Sequence, residues 1–232
     1  MAKAAAFAGF SRDLMTFFTE LEKNNSKTWF DAHRADYEGL FVGPAKQFVA
    51  AMDADLAKIS REIRADPRIN GSIMRINRDV RFSKDKRPYK ASLHILFAEG
   101  GSRQASPAFY FGLDASHAYV GGGLFGFRPE QMARFRAAAV DPKQGKALAA
   151  AVAKVTAVPG MTLGGQHYKR VPRGFDAEHA NAELLKHAGL YAGVSAPPPA
   201  AVFSPDAVDY CLAGFKQVRP LQKWLVDAVG DG

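Results

Sequence analysis

The sequence predicts an α+β protein with an antiparallel central sheet and helices before and after it. Three observations carry this expectation. Apolar side chains recur with the helical period over residues 11–63, the period shortens to two after Gly71, and helical patterning resumes at Pro129. Helices segregated on either side of a run of strands indicate α+β rather than alternating α/β. Short connections between the strands favour antiparallel neighbours.

The first helix is expected from about Ser11 to Lys23, where Leu14, Phe17, Phe18 and Leu21 fall on one face. Ser11 is suited to cap it, and Asn24 and Asn25 to end it in the left-handed conformation. Ser26 caps a second helix carrying Trp29, Phe30, His33, Tyr37 and Phe41, which Gly43-Pro44 stops. Trp29 is expected to be mostly buried where helices meet the sheet. A third helix follows on Phe48, Met52, Leu56, Ile59 and Ile63 and ends before Asp66-Pro67. Next comes a strand with Met74, Ile76, Val80 and Phe82 on one face, Arg78 among them, and Arg75, Asn77, Asp79 and Arg81 on the other.

Further strands are expected over Leu93 to Ala98, Phe109 to Leu113 and Tyr119 to Phe127, separated by the Gly100-Gly101-Ser102 loop and the turn from Asp114 to His117. Pro129, with its fixed φ, suits a first helical position, and another helix follows Asp141-Pro142. Gly164, Gly165 and residues 168–172 mark a loop or strand before a helix near Glu178 to His187. Pro197-Pro198-Pro199 stiffens the connection to a last helix from about Pro205 to Ala228. Residues 1–9 read as an N-terminal extension and residues 10–228 as a single α+β domain.

Composition narrows the function classes. With 232 residues, 47% of them hydrophobic and 23% charged, the chain resembles an ordinary soluble protein. No window approaches the roughly 18 consecutive apolar residues of a membrane span. The N-terminal residues lack the apolar length of a secretion signal, so a cytoplasmic location without a membrane partner is expected. The lone Cys211 permits no intrachain disulfide and no multi-cysteine metal site. Its neighbours Tyr210, Leu212 and Phe215 suggest a buried, inert thiol.

Two motif readings fail on context. Gly121 to Gly126 fits G-x-G-x-x-G, but the glycines run on into Leu124, Phe125 and Phe127 and no helix opens before Pro129. Close backbone packing is the better account of these glycines. The six histidines are scattered without metal-ligand spacing, and no G-x-S-x-G elbow is present. The sequence therefore points to no metal and assigns no cofactor.

Charge is concentrated in one segment. Of the net +8, +5 lies between Arg75 and Lys90, where Arg75, Arg78, Arg81, Lys84, Lys86, Arg87 and Lys90 face only Asp79 and Asp85. Arg78 on an otherwise apolar face needs a carboxylate, backbone carbonyls or a bound anion as partner. Residues 84–88 read as a turn in which Asp85 accepts backbone N–H groups and Pro88 keeps Arg87 extended. A tight hairpin would let Arg78, Arg81, Lys86 and Lys90 converge on one anion, with Tyr89 hydrogen-bonding or stacking and Asp79, Asp85 and Trp29 shaping the site. The competing account is a set of arginine–aspartate bridges that pin the hairpin, with the other cations solvated.

The blocks NNSKTWF, residues 24–30, and RDVRFSKDKRPYK, residues 78–90, resemble those of a widespread uncharacterised family of bacteria and fungi, catalogued as a domain of unknown function. The stretch YKRVPRGFDAEHANAELLKH, residues 168–187, is similar to a later block of that family, and the resemblance spans about residues 10–225. Its pattern falls on Asn25, Trp29, Phe30, Arg78, Asp79, Arg81, Phe82, Ser83, Asp85, Lys86, Pro88, Tyr89 and Lys90, while Lys84 and Arg87 occupy variable positions. The resemblance implies one family-wide domain and no established activity.

These readings favour a protein that binds a small anionic, phosphate-bearing ligand at a basic cluster on the central sheet. The alternatives are an enzyme acting on a phosphorylated or nucleotide substrate, with Asp79 or Asp85 as base and Tyr89 or a lysine as acid; a weak, non-specific nucleic-acid binder that also uses Arg103, Arg128, Arg134 and Arg136; and an interaction protein whose cations are already paired. The sequence assigns no oligomeric state.

Overall fold

In a computed structural model, residues 6–100 and 105–230 are described. Five strands form one antiparallel sheet, with helices before and after it. In chain order the strands are β1 (Ser92–Ala98), β2 (Ala108–Asp114), β3 (Ala118–Leu124), β4 (Thr162–Gln166) and β5 (His187–Ala196), and their spatial order is β1-β2-β3-β5-β4. The helices are α1 (Arg12–Lys23), α2 (Lys27–Ala32), the short α3 (Arg34–Asp36), α4 (Gly43–Ile59), α5 (Pro129–Val140), α6 (Gln144–Thr156) and α7 (Ala207–Val229). Among the described residues no helix is long and apolar enough to cross a membrane.

The chain divides into two compact units. The first takes residues up to Phe97, Tyr110–Tyr119 and Ala196–Leu212; the second takes Ala98–Phe109, Val120–Ser195 and the chain from Ala213. In the first unit, Ser11 caps α1 by accepting the Asp13 N–H, and the helix buries Leu14, Phe17, Phe18 and Leu21, the face expected from their spacing. Phe10 and Phe48 pack on Phe111 of β2 with ring centroids 5.5 and 5.3 Å away, and Phe7 joins them at 5.2 Å from each.

The second unit has its own aromatic core. Phe109 stacks on Phe215 of α7 at 4.9 Å, and Phe127 stacks on Phe135 of α5 at 4.6 Å. Its buried polar groups are mostly matched. Gln131 donates to the Ala105 carbonyl and accepts the Arg128 N–H, while the Asn181 amide donates to the carbonyls of Ala139 and Gly145. Glu99, almost fully buried, meets Arg219 at 2.6 Å. The glycines of β3 lie where the backbone of β5 approaches closely: a Cβ at Gly121 would collide with the Ala192 carbonyl, and Gly123 sits at φ +136° against Leu190. Close packing, not nucleotide binding, explains this glycine run.

Five expectations need correction. Asn24 ends α1 at φ −118°, outside the left-handed region. Gly43-Pro44 does not stop the second helix. The chain passes from α2 through α3 into a π-helical turn, Tyr37–Val42, and then into α4, where Pro44 occupies the first turn. Helix α4 itself ends at Ile59, and Ile63 is buried from the following loop instead. The helix expected near Glu178 to His187 is absent: turns and a short 3₁₀ segment, Leu184–Lys186, lead into β5. Small residues, Gly189 and Gly193 among them, hide the strand period of β5.

The fifth correction concerns the strand expected over residues 74–82. Burial does alternate as expected, with Met74, Ile76, Arg78 and Val80 more covered than Arg75, Asn77, Asp79 and Arg81. The alternation breaks at Phe82, which is 96% exposed. No regular strand forms; only the isolated bridges Ile73↔Ile95 and Asn77↔Tyr89 tie this segment to the chain around β1. The basic segment is thus an irregular loop leading into the sheet rather than part of it. The loop containing Gly101 and Ser102 lies outside the described residues.

Candidate functional site

The loop from Asp66 to Lys90 is organised by one repeated local device. Asp66, Asp79 and Asp85 each accept the backbone N–H of the residue two positions on and also hold its guanidinium, pairing with Arg68 at 2.6 Å, Arg81 at 2.7 Å and Arg87 at 2.8 Å. An aspartate short enough to bend back over its own turn suits this geometry, and the arginine two residues on supplies the fork. The Arg68 side chain holds the Asp66 carboxyl down to about 2, and Arg81 likewise lowers Asp79. Asp85 is lowered furthest, first by Arg87 and then by Arg78.

Arg78 finds both a carboxylate and a carbonyl: its Nη1 donates to Asp85 at 2.6 Å and to the Arg87 carbonyl at 3.1 Å. Asp85 is therefore a hub for two arginines, and Arg87 extends the network to Glu22 of α1. Lys86 donates to the Val80 carbonyl at 2.9 Å, and Lys90 reaches the Arg75 carbonyl at 3.4 Å. Backbone bonds from Arg78 to Pro88 and from Lys90 to Ile76, both 2.8 Å, close the loop beneath them. Arg78, Arg81 and Lys86 thus all take part in holding the loop, and so does Arg87, whose charge the sequence reading set aside.

Tyr89 serves packing. Its ring stacks on Phe30 at 4.1 Å, and its backbone N–H and C=O are both met by the Asn25 side chain at 3.0 Å. Burial, then the nearby Asp31 charge, raises its hydroxyl pKa. Trp29 is mostly covered, as expected, but by helical neighbours: it stacks on His33 at 3.9 Å, with Phe17 of α1 at 5.7 Å. Phe30, its neighbour, takes the buried position. Of the arginines considered for nucleic acid, Arg134 donates to the Val229 carbonyl at 2.9 Å and Arg136 lies over Tyr168 at 5.3 Å. Arg128 lends its N–H to Gln131, and Arg103 lies outside the described residues.

A second group of polar residues converges where the loop enters the sheet. Ser92 and His94 alternate with the fully buried Leu93, Ile95 and Phe97, so the period of two puts both on the opposite, partly exposed face, and Lys90, just before the strand, lies close enough for its charge to act on His94. The His94 ring lies between the Ser92 hydroxyl, 2.7 Å from Nε2, and the Tyr110 hydroxyl, 2.6 Å from Nδ1. Tyr110 reaches it by lying along β2 over Gly112, where a side chain would collide with the phenol ring. Beside them, Tyr119 donates to Asp114 at 2.8 Å, and the same carboxylate accepts the N–H groups of Ser116 and His117.

The electrostatics of this face are distinctive. Burial, followed by the Lys90 charge, depresses the His94 pKa to about 4, so its imidazole is neutral at neutral pH. Burial raises the Tyr110 hydroxyl above its ordinary range. At Asp114 burial acts upward, but hydrogen bonds from Ser116, Tyr119 and His117 outweigh it and lower the carboxyl. Ser92 and His94 have the reach of a nucleophile and a base, yet the ring is a weak base, and a neutral phenol occupies the place where a carboxylate would stabilise imidazolium. The arrangement suits holding a ligand with fixed dipoles and one cation better than it suits serine activation.

Sequence reasoning counted His94 among scattered histidines and missed Tyr110, Asp114 and Tyr119. The available signal was that Ser92 and His94 interrupt the polar side of an otherwise apolar alternation, two residues beyond Lys90. No curated protein matches the chain. The family described as "Conserved hypothetical protein (DUF2461)" matches residues 13–224. Both motif blocks, the Asn25–Tyr89 clasp that joins them and the sheet face beyond Lys90 lie within that span, and the chain belongs to this family.

Proposed function

We propose that the protein binds a small anionic ligand, carrying phosphate or carboxylate, on the partly exposed sheet face at Lys90, Ser92, His94 and Tyr110. The observation that carries this reading is the placement of Ser92 and His94 on one face of β1, with the Tyr110 hydroxyl 2.6 Å from the imidazole and the Lys90 charge close enough to act on it. Lys90 supplies the charge. The neutral His94 donates to one of the Ser92 and Tyr110 hydroxyls and accepts from the other, so the hydroxyl that accepts keeps its own proton as an orientable donor. Of the anion ligands expected from sequence, Lys90 keeps that role here, while Arg78, Arg81 and Lys86 hold the loop that positions it and Tyr89 anchors the loop to Phe30. The lone buried Cys211 is consistent with a reducing, cytoplasmic setting.

The test is a thermal-shift and calorimetric titration with inorganic phosphate, against potassium chloride at equal ionic strength. Phosphate should stabilise the parent beyond the chloride control, by mass action on the folded state. Lys90→Ala should abolish the difference and Tyr110→Phe should weaken it, whereas Arg81→Ala should retain it. Equal responses to phosphate and chloride in the parent would overturn the proposal. Loss in Arg81→Ala with retention in Lys90→Ala would move the site back to the loop.

A further inference from the structure

The Trp29 motif has no part in that anion site, yet its side chain lines a cleft of about 250 Å³ between α1 and the helices that follow it. Asp13, Phe17 and Glu20 of α1 face Trp29, His33 and Asp36 across it. The aromatic wall is ordered: Trp29 lies parallel to His33, with 3.9 Å between ring centroids and 15° between planes, and Phe17 adds a second ring 5.7 Å from Trp29. His33 Nδ1 sits 2.8 Å from the Trp29 carbonyl oxygen. A carbonyl can only accept, so Nδ1 bears a proton and donates this bond.

The charged lining has one sign. Asp13, Glu20 and Asp36 are carboxylates, and no lysine or arginine lines the cleft, although the chain as a whole carries +8. Lys23 pairs with Glu20 at 2.9 Å and Ser11 donates to Asp13 at 3.1 Å, whereas Asp36 has no ion pair among the described residues. An anion is repelled from such a cleft. A metal ion is poorly served, because among the described residues no three acidic, histidine or cysteine side chains converge closely enough to hold one. Aromatic faces combined with separated carboxylates match a cation whose charge is spread over alkyl groups.

We infer that this cleft binds a small organic ammonium ion, with Trp29 and Phe17 supplying aromatic faces and Asp36 the principal counter-charge. The size restricts the ligand. At about 250 Å³ the cleft falls below the roughly 300–1,000 Å³ of sites for drug-sized molecules, so it takes a headgroup rather than a whole metabolite. The site is independent of the anion face, and phosphate titration does not test it.

Tryptophan emission of the intact protein reports on the cleft, since the other tryptophan, Trp224, is buried and hydrogen-bonded to the Gln144 carbonyl. Titration with tetramethylammonium chloride, against potassium chloride at equal ionic strength, should give a saturable emission change that the potassium salt does not. Asp36→Asn keeps the fluorophore and should raise the apparent dissociation constant about tenfold, the cost of roughly one lost charge contact. Trp29→Leu should abolish both the signal and the calorimetric heat, with circular dichroism confirming the fold. Identical curves for the two salts, or unchanged affinity in Asp36→Asn, would overturn the inference.

Discussion

Two regions of the first unit hold their shape by opposite means. Around β2 the rings of Phe10, Phe48 and Phe111 are fully buried and touch one another at several angles, so many weak contacts fix them together. The loop from Asp66 to Lys90 leaves Phe82 in solvent and fixes its backbone with three Asp-x-Arg clasps, each closed within three residues of sequence. The first device depends on the rest of the fold, because every ring needs its neighbours. The second is local, so it can order the exposed stretch around Phe82 between the buried Ile76 and Tyr89. Its cost is low stability: exposed ion pairs contribute little each, and the loop is held where the Asp85 hub, Glu22 and Asn25 tie it to the helices.

The contrast predicts its own extremes. Phe111→Ala should lower stability by about 3–5 kcal/mol through lost burial and the cavity left between Phe10 and Phe48. Phe82→Ala, the same substitution in a ring that touches little, should stay within about 0.5 kcal/mol of the parent. Urea unfolding of the two variants measures both. A Phe82→Ala loss comparable to that of Phe111→Ala would mean that the loop is packed after all.

Between the two regions lies His94, whose neutral ring gives a pH signature. Its folded-state pKa of about 4 lies below the unfolded value near 6.5, so between these pH values the unfolded chain binds the extra proton. Stability therefore rises with pH across that window and is flat from this source above it. The full shift corresponds to about 2–3 kcal/mol lost on acidification from pH 7 to pH 4, after allowance for partial exposure. Unfolding free energies measured across this range should show the slope in the parent and not in His94→Gln. The same slope in both would place the titrating group elsewhere.

The difference between the regions also decides what could be read from sequence. The α1 face, the four-residue spacing in α4 and the alternation in β1 are periodic, and each was legible because buried area enforces the period, whereas β2 and β3, buried at most positions, were legible as short runs bounded by turn signals. Strand β5 was missed because its glycines carry no hydrophobic signal, and the π-helical turn because it departs from the 3.6 period. In the loop, the need of Arg78 for a partner and the bridging role of Asp85 were both legible, since they follow from local chemistry. That Arg87 reaches Glu22, that Asn25 clasps Tyr89 and that Tyr110 lies across Gly112 to meet His94 depend on contacts between residues far apart in the chain. No spacing encodes those contacts.

Asn25 tests how the loop is tied down. Its side chain gives and takes a hydrogen bond with the backbone of Tyr89, 64 positions away, at a partly buried site. Asn25→Ala strands one donor and one acceptor and should cost about 1–3 kcal/mol. Asn25→Asp keeps the acceptor for the Tyr89 N–H but sets a carboxylate against its carbonyl, so it should recover only part of the loss. Full recovery would show that the single N–H···O bond suffices.

The smallest effects separate the clasps from one another. Among the described residues Arg81 forms an ion pair with Asp79 alone, both side chains well exposed, whereas Arg78 is more covered and bridges Asp85 to the Arg87 carbonyl. Arg81→Ala should leave the melting temperature unchanged, because water and salt replace what an exposed pair supplies. Arg78→Ala should lower it detectably and speed hydrogen exchange at the amides of residue 78 and Lys90, which close the loop onto Pro88 and Ile76. Acid should mimic that variant. Asp85 has a folded pKa below its unfolded one, so the stability it contributes is complete above the ordinary carboxylate range and is lost as pH falls toward the folded value. In Arg78→Ala the shift at Asp85 shrinks but persists, since Arg87 is its larger cause. If Arg81→Ala opens the loop as far as Arg78→Ala does, the clasps act as equals and the Asp85 hub has no special weight.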